Sequence, residues 1–422
     1  MKQASSDKKN NRQQKPTPNG ALAPKVERMP LRGWLKQNWI ALLVLALAAA
    51  VFVGLYVYSH QGQIYQNQST ELEYLSYETA TVLNVSRDTV TPDRLAGTVE
   101  IAEVGSQTIL IRVTSGEFEG QTFELENYVS VFNGTKLATG DNIVVAVYAK
   151  EGAALNITVY QYDRVPEILW LLVIFFLIVV LVGGKTGLKS LLGLVVTVIC
   201  LIWIMCPLLM KGFDPAWTAL GLCVYVEIIC FTLLDGINKK TLSAMVGTAV
   251  GMGLAALFGV LAQAFTRINS YSMYTTSTLV DEFRNIQQQG IPLRIHGLLT
   301  AGIIISSLGA VMDVAMSLSS AISELKTVNP SLTFGQLLRS GMRIGRDMVG
   351  TMTNTLVLAF VGSSLLLIIY MWSLELSFHQ LLSSSFLAVE LISALSSSVG
   401  VVLAVPLTAL VGAAMFEKTA EK

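Results

Sequence analysis

The sequence predicts a polytopic α-helical membrane protein with a small extracytoplasmic β domain between its first two spanning helices, and three observations predict it. Hydrophobic residues make up 52% of the 422 residues and charged residues only 14%, against about 25% charged in an ordinary soluble domain. The apolar residues gather into runs near the roughly 20 residues that a helix needs to cross about 30 Å of hydrocarbon. Between the first run and the second lies a polar, acidic stretch with a different periodicity. Lys+Arg and Asp+Glu both number 29, so the chain is neutral overall and is not a globally basic nucleic-acid binder.

Residues 1–38 carry nine Lys/Arg against Asp7 and Glu27. Such a composition buries too little apolar surface to fold by itself, and we read it as a disordered basic cytoplasmic tail. The first apolar run, Trp39 to Tyr58, is the first spanning helix (39–58). Ala48-Ala49-Ala50 offers a cleavable signal peptide as the competing reading. The run continues past those residues and exceeds a usual signal h-region, which favours a signal anchor.

Residues 60–164 form the β domain. Fourteen acidic residues face six basic ones there. Period-two alternation runs through Thr98–Ile101, Thr108–Val113, Thr122–Leu125 and Asn142–Val147 and is broken by Ser115-Gly116-Glu117, Asn133-Gly134 and Thr139-Gly140-Asp141. This is the signature of short antiparallel strands and hairpins. Five or six strands suggest an OB-like barrel or a small sandwich, without cysteine.

Seven further spans are expected within 166–413, near 166–182, 188–210, 216–234, 242–264, 297–318, 349–372 and 385–413, making about eight in all. Polar turns at 183–187, 211–215 and 235–240 separate the first of them. Orientation follows the Lys/Arg bias of the loops. With the N-terminal tail inside, the inner loops hold Lys185, Lys189, Lys239, Lys240, Lys326, Arg339, Arg343 and Arg346. The outer loops hold Lys211, Arg267, Arg284 and Arg294. Both termini, including a C-terminal tail at 414–422, are therefore expected in the cytoplasm.

Catalytic sets are absent from the sequence. It has no HExxH, no GxSxG and no Walker loop, and Gly183-Gly184-Lys185-Thr186-Gly187 lacks the glycine spacing of a phosphate loop. Cys200, Cys206, Cys223 and Cys230 all fall in apolar runs, where cysteine is a common filler. His60, His296 and His379 have no ligand partners at suitable spacing. We therefore expect no enzyme activity, no metal site and no cofactor.

Ionisable groups inside an apolar run are expensive and mark candidate sites. Glu227 lies mid-span between Val226 and Ile228, with an interhelical hydrogen bond as its bland reading. Asp313 shares a helical face with Ser306, Gly309, Ala310, Ser317 and Ser320. Packing explains the small residues of that face and leaves the Asp unexplained. Asp347, Thr351 and Asn354 form a second stripe at i, i+4 and i+7, although Asp347 could serve only a helix start or Arg343. Glu390, Ser393, Ser397 and Gly400 make a third. A GxxxG at Gly247 and Gly251 signals close packing, and Pro406 should kink or break the last helix. Thr333 to Gln336 is a capping-box pattern opening a short amphipathic surface helix through Arg346.

The segments GLLTAGIIISSLGAVMDVAMSLSSAISEL (297–325) and RSGMRIGRDMVGTMTNTLVLAFVGSSL (339–365) resemble the core motifs of the YibE/F-like bacterial membrane protein family. Further matches are WLLVIFFLIVVLVGGKTGLKSLL (170–192), GINKKTLSAMVGT (236–248), VGVVLAVPLTALV (399–411) and, in the β domain, SGEFEGQTFELENY (115–128). The resemblance covers about 75–422 and departs at Ser306-Ser307, where Gly-Ala is expected. It implies a multi-pass protein of the bacterial cell membrane with an extracytoplasmic β domain and no established activity. Family members are often encoded in pairs, which implies a second YibE/F-like protein or another copy as partner besides the lipid bilayer, and no nucleic acid. Two functions follow as expectations. One is a permease-like component that binds a small ion or polar solute with Asp313, Asp347, Asn354, Thr351, Glu227 and Ser317. The other is a non-transporting subunit or scaffold whose outer β domain binds a partner or envelope component.

Overall fold

The computed structural model describes residues 31–61, 73–94, 101–130, 134–150, 153–268, 283, 285–288 and 290–417. Residues 1–30 of the basic tail, Arg284 and residues 418–422 lie outside the described residues. Helix α1 spans Leu31–His60, beginning ahead of the expected span.

Six strands follow: β1 Glu73–Asp88, β2 Thr91–Arg94, β3 Ile101–Val113, β4 Thr122–Val129, β5 Asn142–Lys150 and β6 Ala153–Tyr162. All strand pairs are antiparallel, in the path β4-β3-β1-β5-β6, with β2 prolonging the ladder of β1 along β3. The alternation does its expected work. Ala80, Val82, Ile109, Ile111, Ile143, Val145 and Val147 point inward and are buried. Register shifts in β1 at Val82/Asn84 and Val85/Arg87 add twist, and the sheet curls until β4 approaches β6. Buried amides close one end. Gln107 Oε1 accepts from Asn127 Nδ2 at 3.1 Å and from Leu137 N at 2.9 Å, and Gln107 Nε2 donates to Leu137 O at 3.0 Å.

The remaining chain is helical: α2 Val165–Ile199, a π turn Cys200–Met205, α3 Cys206–Met210, α4 Pro215–Asp235, α5 Lys239–Thr266, α6 Leu298–Val328, α7 Phe334–Ser363, α8 Leu365–Ser373, α9 Phe378–Ser383 and α10 Ser385–Glu417. Local chemistry sets several starts. Asp214 caps α4 by accepting from Ala216 N at 3.1 Å, with Pro215 at the first helical position. Asn238 and Thr241 form a capping box on α5. At α7, Thr333 N donates to Gln336 Oε1 at 3.0 Å, as the sequence pattern predicts.

Helix α2 breaks at Gly184, whose φ of 54° and ψ of −134° are accessible to glycine and strained for other residues. Beyond the break the chain doubles back, because a Cβ on Gly187 would overlap the carbonyl oxygen of Val179. In a straight helix those residues would stand about 12 Å apart. By length and composition six helices among the described residues can cross a membrane, or seven if α7 and α8, bent by 57°, form one span.

Helices α5, α6 and α10 pack mutually, and α7 lies on α6 and α10. The glycine motif has the role expected of it. Gly251 lets α5 approach Val311 of α6 and Ala404 of α10, where a Cβ would come within 2.9 and 3.0 Å. Gly247 lies directly on Thr408. Helix α4 packs on α6, and α2 and α1 on α4. Tyr225 OH ties α1 down by donating to Ala48 O at 2.6 Å, and Lys211 donates to the carbonyls of Tyr58 and Gln61.

Two local expectations are corrected. The amphipathic segment through Arg346 does not end there. Helix α7 runs unbroken from Phe334 to Ser363 and the chain bends at Ser364. Buried Gly341 and Gly345 seat α7 against Ile322, Ala409 and Val405 across the expected junction. Of the kink or break expected at Pro406, the break does not occur: α10 is one helix from Ser385 to Glu417. The buried Val401, Ala404, Val405, Thr408 and Ala409 hold it on both sides of the proline.

Candidate functional site

Helix α6 is the centre of the bundle, and its surface divides by neighbour. Met312 and Met316 face Phe231 of α4, while Val314, Leu318 and Ile322 face α7 and α10. Gly302, Gly309, Asp313 and Ser317 remain exposed. Helices α4 and α7 each pack on α6 without a substantial interface with each other, so this face is the floor of an open groove. No atom lies within 4 Å of a Cβ built on Gly302 or Gly309. Ser306, on the margin, meets Ser397 of α10 with its hydroxyl at 3.0 Å.

Among the described residues Asp313 has no hydrogen-bond or ion-pair partner. A carboxylate so placed in an apolar helix must meet water, a ligand or another polypeptide, because exposure to hydrocarbon costs about 3 kcal/mol or more.

Asp347, Thr351 and Asn354 are exposed on α7. Asp347 lies well inside a continuous helix and forms no ion pair with Arg343, so neither bland role proposed for it is realised. Thr351 bonds its own helix at Met348 O, 3.0 Å away. Gly341 of α7 lies against Ile322 of α6, and the two helices run antiparallel from a short turn. Asp313 and Gly350 each lie nine residues beyond that contact, about 13 Å along either helix. The stripes of α6 and α7 therefore share one height.

Glu227 is separated from both stripes. It is 1% exposed within the α4 packing surface, and the Thr248 hydroxyl of α5 lies beside its carboxyl. Its Oε1 has no partner. Thr248 was missed by sequence reasoning because a helical threonine usually bonds its own backbone, as this one also does at Ala244 O, 2.9 Å away. The Ser306–Ser397 pair was likewise hidden, although both stripes containing it are legible. Ser397 and Gly400 are buried, and a Cβ on Gly400 would come within 2.8 Å of Ala255 Cβ, so the third stripe is a packing surface.

The β domain has a cleft of about 420 Å³ between β4 and β6, lined by Phe123, Glu124, Glu126, Tyr128, Asn156 and Thr158 among others. The described residues contain no group of three or more His, Cys, Asp or Glu placed to hold a metal.

No curated protein and no solved structure is similar to this chain. The family model described as YibE/F-like protein matches residues 171–418, the helical region that contains both stripes and Glu227, and begins after the β domain. The span exceeds half of the sequence and takes in the helical segments whose resemblance is given above, while the β-domain segment 115–128 lies outside it: the chain belongs to the YibE/F-like family.

Proposed function

We propose that the chain is a permease-like component that moves a small ion or polar solute along the open face of α6. The observation that carries this reading is Asp313, exposed and unpartnered midway along an apolar helix, in a groove between α4 and α7. Asp347, Thr351 and Asn354 supply further polar groups at the same height. Ser317 adds a hydroxyl one turn from Asp313.

The membrane arrangement supporting this reading has eight crossings. Six apolar helices become seven when the break at Gly184 divides the first long apolar stretch after the β domain, and eight when α7 and α8 count as one bent span. The basic loops then face the cytoplasm with both termini, and the β domain lies outside.

The test is electrical recording from reconstituted full-length protein on a solid-supported membrane, screened with protons, alkali cations and small polar solutes. Asp313→Asn is expected to reduce the signal at least tenfold while the purified protein melts as wild type. Undiminished flux in Asp313→Asn, with active wild type, would refute the reading.

A second reading, a membrane subunit whose outer domain docks a partner, is favoured by the β4–β6 cleft. The path β4-β3-β1-β5-β6 supports an OB-like barrel, a fold that uses such surfaces for oligomeric ligands. Retention of a stoichiometric partner through residues 73–162 after crosslinking would favour it.

A further inference from the structure

We infer that Glu227 is a proton-binding site, occluded between two apolar layers of the bundle and exchanging its proton when one layer opens. The inference deepens the permease reading by naming the proton as the ion, and it rests on that reading only for the flux measurement below.

The geometry is consistent on three helices. On α4, Glu227 lies one turn from Cys223 and one turn from Phe231. On α5, Thr248 lies one turn from Met252 and one turn from Ala244. On α6, Leu308 and Ala315 bracket the same level. Cys223, Met252 and Leu308 belong to one apolar cluster, and Phe231, Ala244 and Ala315 to another. The carboxyl is therefore walled off toward both ends of the bundle.

The titratable groups facing Glu227 are thiols of its own helix, Cys223 and Cys230. Helix α5 presents the Thr248 hydroxyl, and α6 presents apolar side chains while Asp313 turns to the open groove. The lysines that begin α5 are engaged elsewhere, Lys240 with Asp235 and Lys239 with Met415 O at 3.1 Å. A carboxylate without a cation is costly in such surroundings. The neutral acid can donate its proton to Thr248 Oγ1 while that hydroxyl donates to Ala244 O, so each hydrogen in the chain has an acceptor.

A hard cation fits poorly, since it takes six or more oxygen ligands and the walls offer thiol, thioether and alkyl groups, and no three His, Cys, Asp or Glu side chains among the described residues are placed to hold another metal. When either layer parts, water enters and accepts the carboxyl proton. The carboxylate that remains can take the Thr248 hydroxyl proton in a hydrogen bond until it is reprotonated.

The test is infrared spectroscopy of the full-length protein in lipid nanodiscs at neutral pH. A protonated-carboxyl C=O band is expected that vanishes in Glu227→Gln, persists in Asp313→Asn, and shifts down on transfer to D2O as the proton exchanges. Thr248→Val is expected to move the band up by removing its acceptor, which keeps the test decisive if Glu227→Gln does not fold. Absence of a band assignable to Glu227, or a band that never shifts in D2O, overturns the proposal. Proteoliposomes loaded with a pH-sensitive dye separate the two readings. An exchanging band in a protein that carries no proton current supports the site and refutes the proton as the transported ion, and an exchanging band in a protein silent to every solute of the wider screen supports the site and refutes the permease reading.

Discussion

Filling the α6 groove should separate stability from transport, and Gly309→Leu is the substitution that does so. No atom lies within 4 Å of a Cβ at Gly309, so a leucine there projects into the groove without displacing a neighbour. Leucine is better than glycine in a helix interior by about 0.8 kcal/mol, and stability should hold or rise slightly. Gly400→Leu is the contrast within the same bundle. Its Cβ would come within 2.8 Å of Ala255 Cβ and 3.2 Å of Gly251 O, where carbon atoms normally rest about 3.5–4.0 Å apart. Neither neighbour can rotate away, so α5 and α10 must separate by on the order of 1 Å. Overpacking of this kind costs about 1–3 kcal/mol before the rest of the leucine is accommodated. The propensity gain is common to both variants, so they should differ by the overpacking cost of about 1–3 kcal/mol, or roughly 1–4 °C in melting temperature for a protein of this size. Thermal unfolding in detergent measures the first effect, and proteoliposome flux measures the second. Gly309→Leu should melt as wild type and lose most flux. A loss of stability equal to that of Gly400→Leu would show the face to be packed, and full flux in a stable Gly309→Leu would remove the groove from any transport path.

Two predictions concern the β domain. Gln107→Leu removes the partners of Leu137 N, Leu137 O and one Asn127 hydrogen together, which should cost about 3 kcal/mol at roughly 1–3 kcal/mol per orphaned buried group. Hydrogen exchange of residues 134–138 in the full-length protein should accelerate strongly, and unchanged protection would refute the network's role. Asp88, which accepts from Val90 N at 2.9 Å and pairs with Lys136 at 3.1 Å, has its pKa lowered by these contacts, with the backbone bond first. A lowered folded pKa gives stability that is present above the ordinary carboxylate range and is lost as pH falls through the lowered value. Exchange at Val90 should therefore rise only in acid, and Asp88→Asn should abolish that pH dependence. An acid response that survives in Asp88→Asn would assign it elsewhere.

The Thr333 cap was legible because capping is local, its partner Gln336 lying three residues away, whereas Asp214 and Asn238, read only as parts of polar turns, prove to be caps as well. The β domain was legible because alternation separates its buried and exposed faces, as Ile109 and Ile111 against Arg112 illustrate. The extent of α7 was not, since its continuity depends on Gly345 lying against Val405, sixty residues away in sequence. Pro406 failed as a helix breaker for the same reason: packing on both flanks decided the outcome.

The sequence by itself determined the membrane class, the position of the β domain and the short list of carboxylates inside apolar runs. Composition and periodicity are properties of neighbouring residues and need no partner helix to be read. Only the tertiary structure decided what those carboxylates meet. Glu227 and Asp313 look alike in sequence, each alone within an apolar helix, yet one is enclosed against Thr248 and the other lies open between α4 and α7. The glycines divide in the same way, Gly251 and Gly400 against neighbouring helices and Gly302 and Gly309 against empty space. Burial is set by which helix lies alongside, and that contact joins residues far apart in the chain where no local pattern records it.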